Sequence, residues 1–184
     1  MASNMTGGNE RPRNPWRLAV WGTAALLLLL PLVAMQFTNQ VQWAGTDFIV
    51  MGTMLWVACS AYELAVRLSR NSGYRLAFGI AIVAGFLTVW VNLAVGMIGN
   101  EDNPFNLLFG GVLAIAASGA LLAQFRARGM ARTMLATAIA QALVVAVALV
   151  GAWDMRGAVF SACFVAPWLV SAQLFRKAAQ ARPT

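Results

Sequence analysis

Long apolar segments, separated by short polar connections, make up almost the whole chain beyond residue 15. Six such segments can be delimited, and about 20 apolar residues suffice to cross a hydrocarbon core of about 30 Å. The composition agrees, because 60% of the residues are hydrophobic and only 10% are charged, against about a quarter charged in soluble domains. We therefore predict an all-α integral membrane protein with six transmembrane helices, and the lipid bilayer is its first expected partner.

The segments repeat in pairs along the chain. The four residues Trp16-Arg17-Leu18-Ala19 resemble Tyr74-Arg75-Leu76-Ala77, and Ala131-Arg132 follow at nearly the same spacing. A fixed period of this kind indicates repeated structural units. We predict three tandem helical hairpins, at residues 16–70, 74–128 and 131–177.

The repeats divide the chain into one domain and two tails. Residues 1–15 are polar without an apolar period, which predicts a disordered cytoplasmic tail. Residues 16–176 are predicted to form a single six-helix transmembrane domain, and residues 177–184 a short basic tail. The spans are expected at 16–36, 47–68, 75–99, 105–126, 133–153 and 158–176.

Local signals at the ends of the spans predict caps and kinks. Asp47 is placed to cap the second helix, and Asp102 or Asn103 to cap the fourth, with Pro104 suited to its first turn. Pro31 and Pro167 are expected to kink the first and sixth helices, because the proline ring removes one backbone hydrogen bond.

Basic residues fall almost entirely on one side of the predicted membrane. Of the 13 lysines and arginines, only Arg156 lies in a connection on the opposite side. The positive-inside rule then places both termini in the cytoplasm. Trp16, Trp43 and Trp153 lie at predicted interfaces, as an aromatic belt requires. Topology therefore explains the net charge of +7, and no nucleic-acid partner is expected.

Glu63 is the only carboxylate well inside a predicted span, and intramembrane ionisable groups suggest a functional site. Arg67 follows four residues later, so a helix-stabilising ion pair is the competing explanation. Asn92 lies about two turns from the outer end of the third span and serves either helix packing or a site. These three residues form the candidate polar site.

Glu101 and Asp102 form an acidic turn predicted on the outer side. Carboxylate oxygens can bind hard cations, but two in one short turn are too few for a closed site, and helix capping with solvation also accounts for them. Cys59 and Cys163 lie in apolar runs and are expected to pack as small hydrophobic side chains. The chain has no histidine, and no nucleotide-binding or metalloprotease motif is present. We expect no catalytic residue, metal or cofactor, and no enzymatic activity.

Small residues recur at four-residue spacing in the fourth and fifth spans. Such faces allow close helix packing, either inside the bundle or between copies of the chain. They are Gly110, Ala114 and Ser118, and Ala138, Ala142 and Ala146.

One stretch resembles a group of small, uncharacterised multi-pass membrane proteins of bacteria. The resemblance is carried by Val91-Asn92-Leu93-Ala94-Val95-Gly96-Met97-Ile98-Gly99-Asn100-Glu101-Asp102-Asn103-Pro104, together with Tyr62-Glu63-Leu64-Ala65. It implies a location in the bacterial inner membrane. It carries over no catalytic residue.

Three functions remain open. Short loops, few buried polar groups and small-residue faces favour a non-enzymatic accessory or scaffold component of a membrane complex, with other subunits or a second copy as partners. A small transporter with a path between the three hairpins is the alternative, since tandem repeats occur in transporters. A binder of an apolar ligand such as lipid or quinone would leave no recognisable motif.

Overall fold

The computed structural model describes residues 15–100, 102–151 and 154–181. The predicted N-terminal tail up to residue 14, Glu101, Trp153 and the last three residues lie outside the described residues. Within the described ranges all regular structure is helical, and six segments are long and apolar enough to cross a membrane. The prediction of an all-α chain with six such segments is confirmed.

The helices differ from the predicted spans mainly at their ends. They are α1 (Pro15–Phe37), α2 (Gly45–Leu68), α3 (Ser72–Ala94), α4 (Leu107–Leu122), α5 (Ala127–Val150), α6 (Met155–Ala162) and α7 (Val165–Gln180). A short 3₁₀ helix (Pro104–Asn106) precedes α4. Helices α6 and α7 belong to one apolar stretch, Met155–Gln180.

The chain forms two compact units that divide within α2, after Cys59. In the first unit the Cys59 thiol lies 4.0 Å from the carbonyl oxygen of Val20, which joins α2 to α1. Helix α1 continues through Pro31 as one helix. At the start of α2 the Asp47 carboxylate accepts a hydrogen bond from the Ala44 N–H at 2.7 Å. Asp47 therefore caps α2 from inside its first turn, as the acidic residue of a capping box does.

The second unit is a bundle in which α7 packs against both α3 and α5, and α5 also packs against α4. Helices α3 and α4 contact each other much less than they contact these partners. The Ser171 hydroxyl of α7 donates to the Ala77 carbonyl of α3 at 2.8 Å. Helices α4 and α5 approach closely at Gly119, where an added Cβ would lie 2.9 Å from the Thr133 hydroxyl. The arrangement in three tandem hairpins stays a prediction.

One end of this bundle is closed by an aromatic cluster. The buried ring of Tyr74 lies 5.1 Å from that of Phe175, edge to face, and Phe78 packs against both Phe125 and Phe175. The Tyr74 hydroxyl donates to the Phe125 carbonyl at 2.7 Å. Gln124 and Phe125 both have positive φ, 48° and 57°, so the chain reverses tightly between α4 and α5.

The last apolar stretch is broken at Cys163 and Phe164, which form a turn between α6 and α7. A proline ring clashes with the carbonyl four residues earlier, and Pro167 stands four residues after Cys163. The kink predicted around Pro167 is therefore present as a break one turn before it.

The small-residue faces do not pack inside the bundle as sets. Gly110, Ala114 and Ser118 are all exposed on α4. On α5, Ala138 is buried whereas Ala142 and Ala146 are exposed. The small-residue face of α4 was expected to pack either inside the bundle or against another copy of the chain. Within the described residues, it does not pack inside the bundle.

Candidate functional site

The end of the bundle opposite the aromatic cluster is built from the connection between α3 and α4. We call residues 95–100 and 102–106 the Asn106 loop. Helix α3 ends at Ala94, five residues before the predicted end, because Gly96 turns the chain with a φ of 72°. A side chain at Gly96 would collide with the carbonyl of Asn100. Glycine is the residue that adopts this conformation without strain.

The side chain of Asn106 holds the loop closed. Its Oδ1 accepts from the backbone N–H groups of Met97 at 3.1 Å and Ile98 at 2.9 Å. Its Nδ2 donates to the carbonyl of Asn100 at 2.7 Å and more weakly to that of Ile98 at 3.4 Å. The amide thus substitutes for the backbone partners that this irregular segment lacks.

The tip of the loop inserts into the bundle. Met97 and Ile98 are almost fully buried, with exposed fractions of 1% and 0%. They form one apolar cluster with buried residues of α4, α5 and α6, which include Phe109, Val112 and Ala158. Because Met97 and Ile98 fill this end of the bundle, the tip of the Asn106 loop belongs to the core, although neighbouring loop residues such as Val95 and Asn100 are exposed.

Asp154 fastens the loop to the start of α6. Its Oδ2 accepts from the Gly99 N–H at 2.9 Å, and its Oδ1 caps α6 by accepting from the Arg156 N–H at 3.1 Å. Hydrogen bonds from the backbone N–H of Gly157, then of Gly99, hold the pKa of Asp154 below its usual value, with a smaller contribution from the Arg156 charge. An added Cβ at Gly157 would lie 2.6 Å from the Met97 carbonyl, so only glycine permits this close approach.

Buried polar side chains continue from the loop into the bundle. The Ser161 hydroxyl donates to the Met97 carbonyl at 3.3 Å, and Gln141 Nε2 donates to the Ser161 carbonyl at 3.2 Å. Both residues have an exposed fraction of 0%. Within the described residues, Gln141 Oε1, Trp168 Nε1 and Asn92 Oδ1 are buried without a hydrogen-bond partner.

The residues of the candidate polar site are not assembled into one site. Arg67 Nη2 lies 3.3 Å from Glu63 Oε2 in the expected i,i+4 pair, with Glu63 half-buried and Arg67 exposed. Asn92 instead donates to the carbonyl of Thr88 within its own helix at 2.7 Å. Asn92 therefore has no contact with the ion pair in the described structure.

The predicted acidic turn is described only in part, because Glu101 lies outside the described residues. Asp102 is exposed. Asn103 is the residue that caps the next helix, accepting from the Phe105 N–H at 3.1 Å, with Pro104 in the first turn as predicted. No group of three or more Cys, Asp or Glu side chains that could hold a metal ion occurs in the part of the chain that the structure describes.

Sequence reasoning did not single out Asn106, Asp154 or Gly157 as parts of one assembly. Two glycines inside an apolar run, Gly96 and Gly99, were the available signal that the chain leaves the helix there. Nothing in the spacing indicates that Asp154 lies beside Gly99, since the two are separated by 55 residues.

Comparisons of the chain with models of protein families, with curated proteins and with solved structures find no match.

Proposed function

We propose that the protein is a non-enzymatic accessory or scaffold component of a membrane complex. The observation that carries this proposal is that the bundle of α3 to α7 is closed at both ends by buried side chains. Met97 and Ile98 fill one end, and Tyr74 and Phe175 fill the other. Apolar constrictions exclude water and ions. A path through this bundle would need both ends to open, whereas a scaffold needs only a stable fold.

The partner surface in this proposal is the exposed face of α4. Gly110, Ala114 and Ser118 lie on this face, and an added Cβ at Gly110 would meet no atom within 4 Å. Small residues let a second helix approach closely, and the resulting van der Waals packing contributes to helix association in a bilayer. The partner is a helix of another membrane subunit or of a second copy.

The test compares the same substitution at two exposed alanines, one on α4 and one on α5. Ala114→Leu on α4 fills the small-residue face, and Ala136→Leu makes the same change on α5. The protein is purified in a mild detergent from its native membranes, and the mass of its complex is measured for wild type and both variants. We expect a defined complex that Ala114→Leu dissociates and Ala136→Leu preserves. A wild type that is monomeric at all concentrations, or two variants with equal effects, contradicts the proposal.

The transporter alternative is tested at Glu63, the one carboxylate that lies well inside a span. Proton-coupled transport would need this group to titrate, so Glu63→Gln would abolish proton flux in reconstituted vesicles. Our proposal expects no flux in the wild type, and expects Glu63→Gln to cost only a few tenths of a kcal/mol through loss of an i,i+4 ion pair. Wild-type flux that Glu63→Gln eliminates would establish transport instead.

The proposal includes a location in the bacterial inner membrane, both termini in the cytoplasm and three tandem hairpins. The placement of the basic residues supports the orientation, and the repeated Arg-Leu-Ala openings of the first two hairpins support the repeat. Cysteine labelling from outside the cell should modify positions 40 and 155 but not positions 71 and 129. Labelling of position 129 from outside would contradict this topology.

A further inference from the structure

A groove runs between α5 and α7 at the end of the bundle that holds the aromatic cluster. We call it the arginine groove. It has a volume of about 560 Å³, and the lining residues used below are Arg128, Arg132 and Leu135 on α5 with Leu169, Gln173 and Arg176 on α7. The volume lies within the range of small-molecule sites, about 300–1,000 Å³.

The groove is graded from charged to apolar along both helices. On α5, Arg128 and Arg132 are one turn apart, and Leu135 lies about 10 Å from Arg128 at 1.5 Å per residue. On α7, Arg176 and Leu169 are separated by the same number of residues, with Gln173 between them. On both helices the arginines therefore lie toward one end of the groove, and a leucine lies about 10 Å further along the helix, in the apolar part of the span.

No carboxylate in the described part of the chain lines the groove. The described carboxylates are Asp47, Glu63, Asp102 and Asp154. All three arginine side chains are exposed. A guanidinium group binds phosphate oxygens with two parallel hydrogen bonds, so three of them around one groove favour an anion with several oxygens.

We propose that the arginine groove binds an anionic phospholipid, with the phosphate between Arg128, Arg132 and Arg176 and an acyl chain along Leu135 and Leu169. Basic pockets between transmembrane helices on the cytoplasmic side are suited to anionic headgroups. Gln173 lies between Arg176 and Leu169 on α7, so its amide would face the glycerol and ester oxygens of such a lipid. This site is independent of the scaffold function proposed above, since it uses neither α4 nor the closed ends of the bundle.

The experiment measures lipid binding to the full-length protein in detergent by native mass spectrometry. The probes are phosphatidylglycerol, phosphatidylcholine with matched chains, and glycerol 3-phosphate. We expect wild type to bind phosphatidylglycerol in preference to phosphatidylcholine. Replacing all three groove arginines by glutamine should weaken phosphatidylglycerol binding about 100-fold, at about fivefold for each cation.

Two further variants make the result specific. The control, Arg70→Gln with Arg126→Gln and Lys177→Gln, removes the same charge from exposed residues that do not line the groove, and should bind as wild type does. Leu169→Trp fills the apolar part of the groove without changing its charge, and should weaken binding of the diacyl lipid. Leu169→Trp also tests the lipid site on its own if the triple arginine variant fails to fold.

Each contrary result overturns the proposal. If the groove variant and the control variant lose phosphatidylglycerol binding equally, the lipid is attracted to positive charge in general and not to this groove. Equal binding of the two phospholipids would remove the headgroup specificity. Competition by glycerol 3-phosphate at the same concentration as the lipid would identify a site for a free phosphate ester instead.

Discussion

The backbone N–H of Gly99 donates to the carboxylate of Asp154 at 2.9 Å across 55 residues of sequence. This bond ties the Asn106 loop to the first turn of α6, and the same carboxylate caps that helix through the Arg156 N–H. One side chain therefore supports two elements that lack regular backbone partners.

Asp154→Asn should destabilise the protein at neutral pH, because the amide is a weaker acceptor for these N–H groups than the carboxylate. The folded-state pKa of Asp154 lies below the usual value of about 3.9, so its stabilising effect is complete above that value. It is lost as the pH falls through the lower folded-state pKa. Unfolding free energies measured in detergent from pH 7 to pH 3 should show a constant gap between wild type and variant above about pH 5, narrowing below about pH 4. A gap that widens on acidification would contradict this role.

Asn106→Asp should open the loop. The variant keeps both acceptor contacts but loses the two donations to the carbonyls of Asn100 and Ile98. At about 1 kcal/mol for each net hydrogen bond, the loss is about 2 kcal/mol of unfolding free energy. Asn39→Asp, in the exposed connection between α1 and α2, is the matched control and should change stability little. Hydrogen exchange at Met97 and Ile98 should rise only in the Asn106 variant, and unchanged protection there would refute the closure.

Tyr74→Phe should destabilise the opposite end of the bundle. The change removes the 2.7 Å bond to the Phe125 carbonyl and leaves that acceptor without its partner, at a cost of about 1–3 kcal/mol. The only other tyrosine, Tyr62, is half-buried and provides the control, Tyr62→Phe. In a detergent titration, the free energy of unfolding should be lower for Tyr74→Phe than for Tyr62→Phe. Equal stabilities would show that aromatic packing alone holds this end.

Gln124→Gly should stabilise the protein. Gln124 is exposed and has a φ of 48°, and this left-handed conformation costs a residue with a Cβ about 1–2 kcal/mol. Gln124→Ala keeps the Cβ and should give no such gain. The comparison is the thermal midpoint of the two variants in the same detergent. An alanine variant as stable as the glycine variant would show that the glutamine side chain, not the backbone, is responsible.

Hydropathy sufficed to predict six helices because burial in lipid requires long, uniformly apolar segments. It failed at the ends of α3 and α4, since both apolar runs continue beyond the residues where the chain turns. Gly96 ends α3 through its own conformation, which a hydropathy pattern does not register. Phe125, where the chain turns after α4, has a positive φ and packs against Phe78, which lies far away in sequence.

Within the candidate site, only contacts between residues close in sequence could be predicted. The Glu63–Arg67 pair and the cap at Asn103 involve residues within one turn of each other, so spacing alone indicates them. The contacts of Asp154 and Ser161 with the Asn106 loop bring together residues more than 50 positions apart. Such contacts arise from tertiary packing, and one sequence has no local pattern that records them.

The Asn106 loop also constrains how the chain is made. Asn106 closes the loop on itself, but the contacts that fasten the loop to the last apolar stretch come from Asp154 and Ser161, which the ribosome adds 55 and 64 residues after Gly99 and Met97. At about 5–20 residues per second, translation takes roughly 3–11 s to cover the first of these intervals. During that time α3 and α4 are already synthesised, while the Gly99 N–H and the Met97 carbonyl still lack their partners in the last apolar stretch. The loop is therefore fastened to the bundle only after the last apolar stretch has been synthesised, and a chain truncated before Asp154 would lack both contacts.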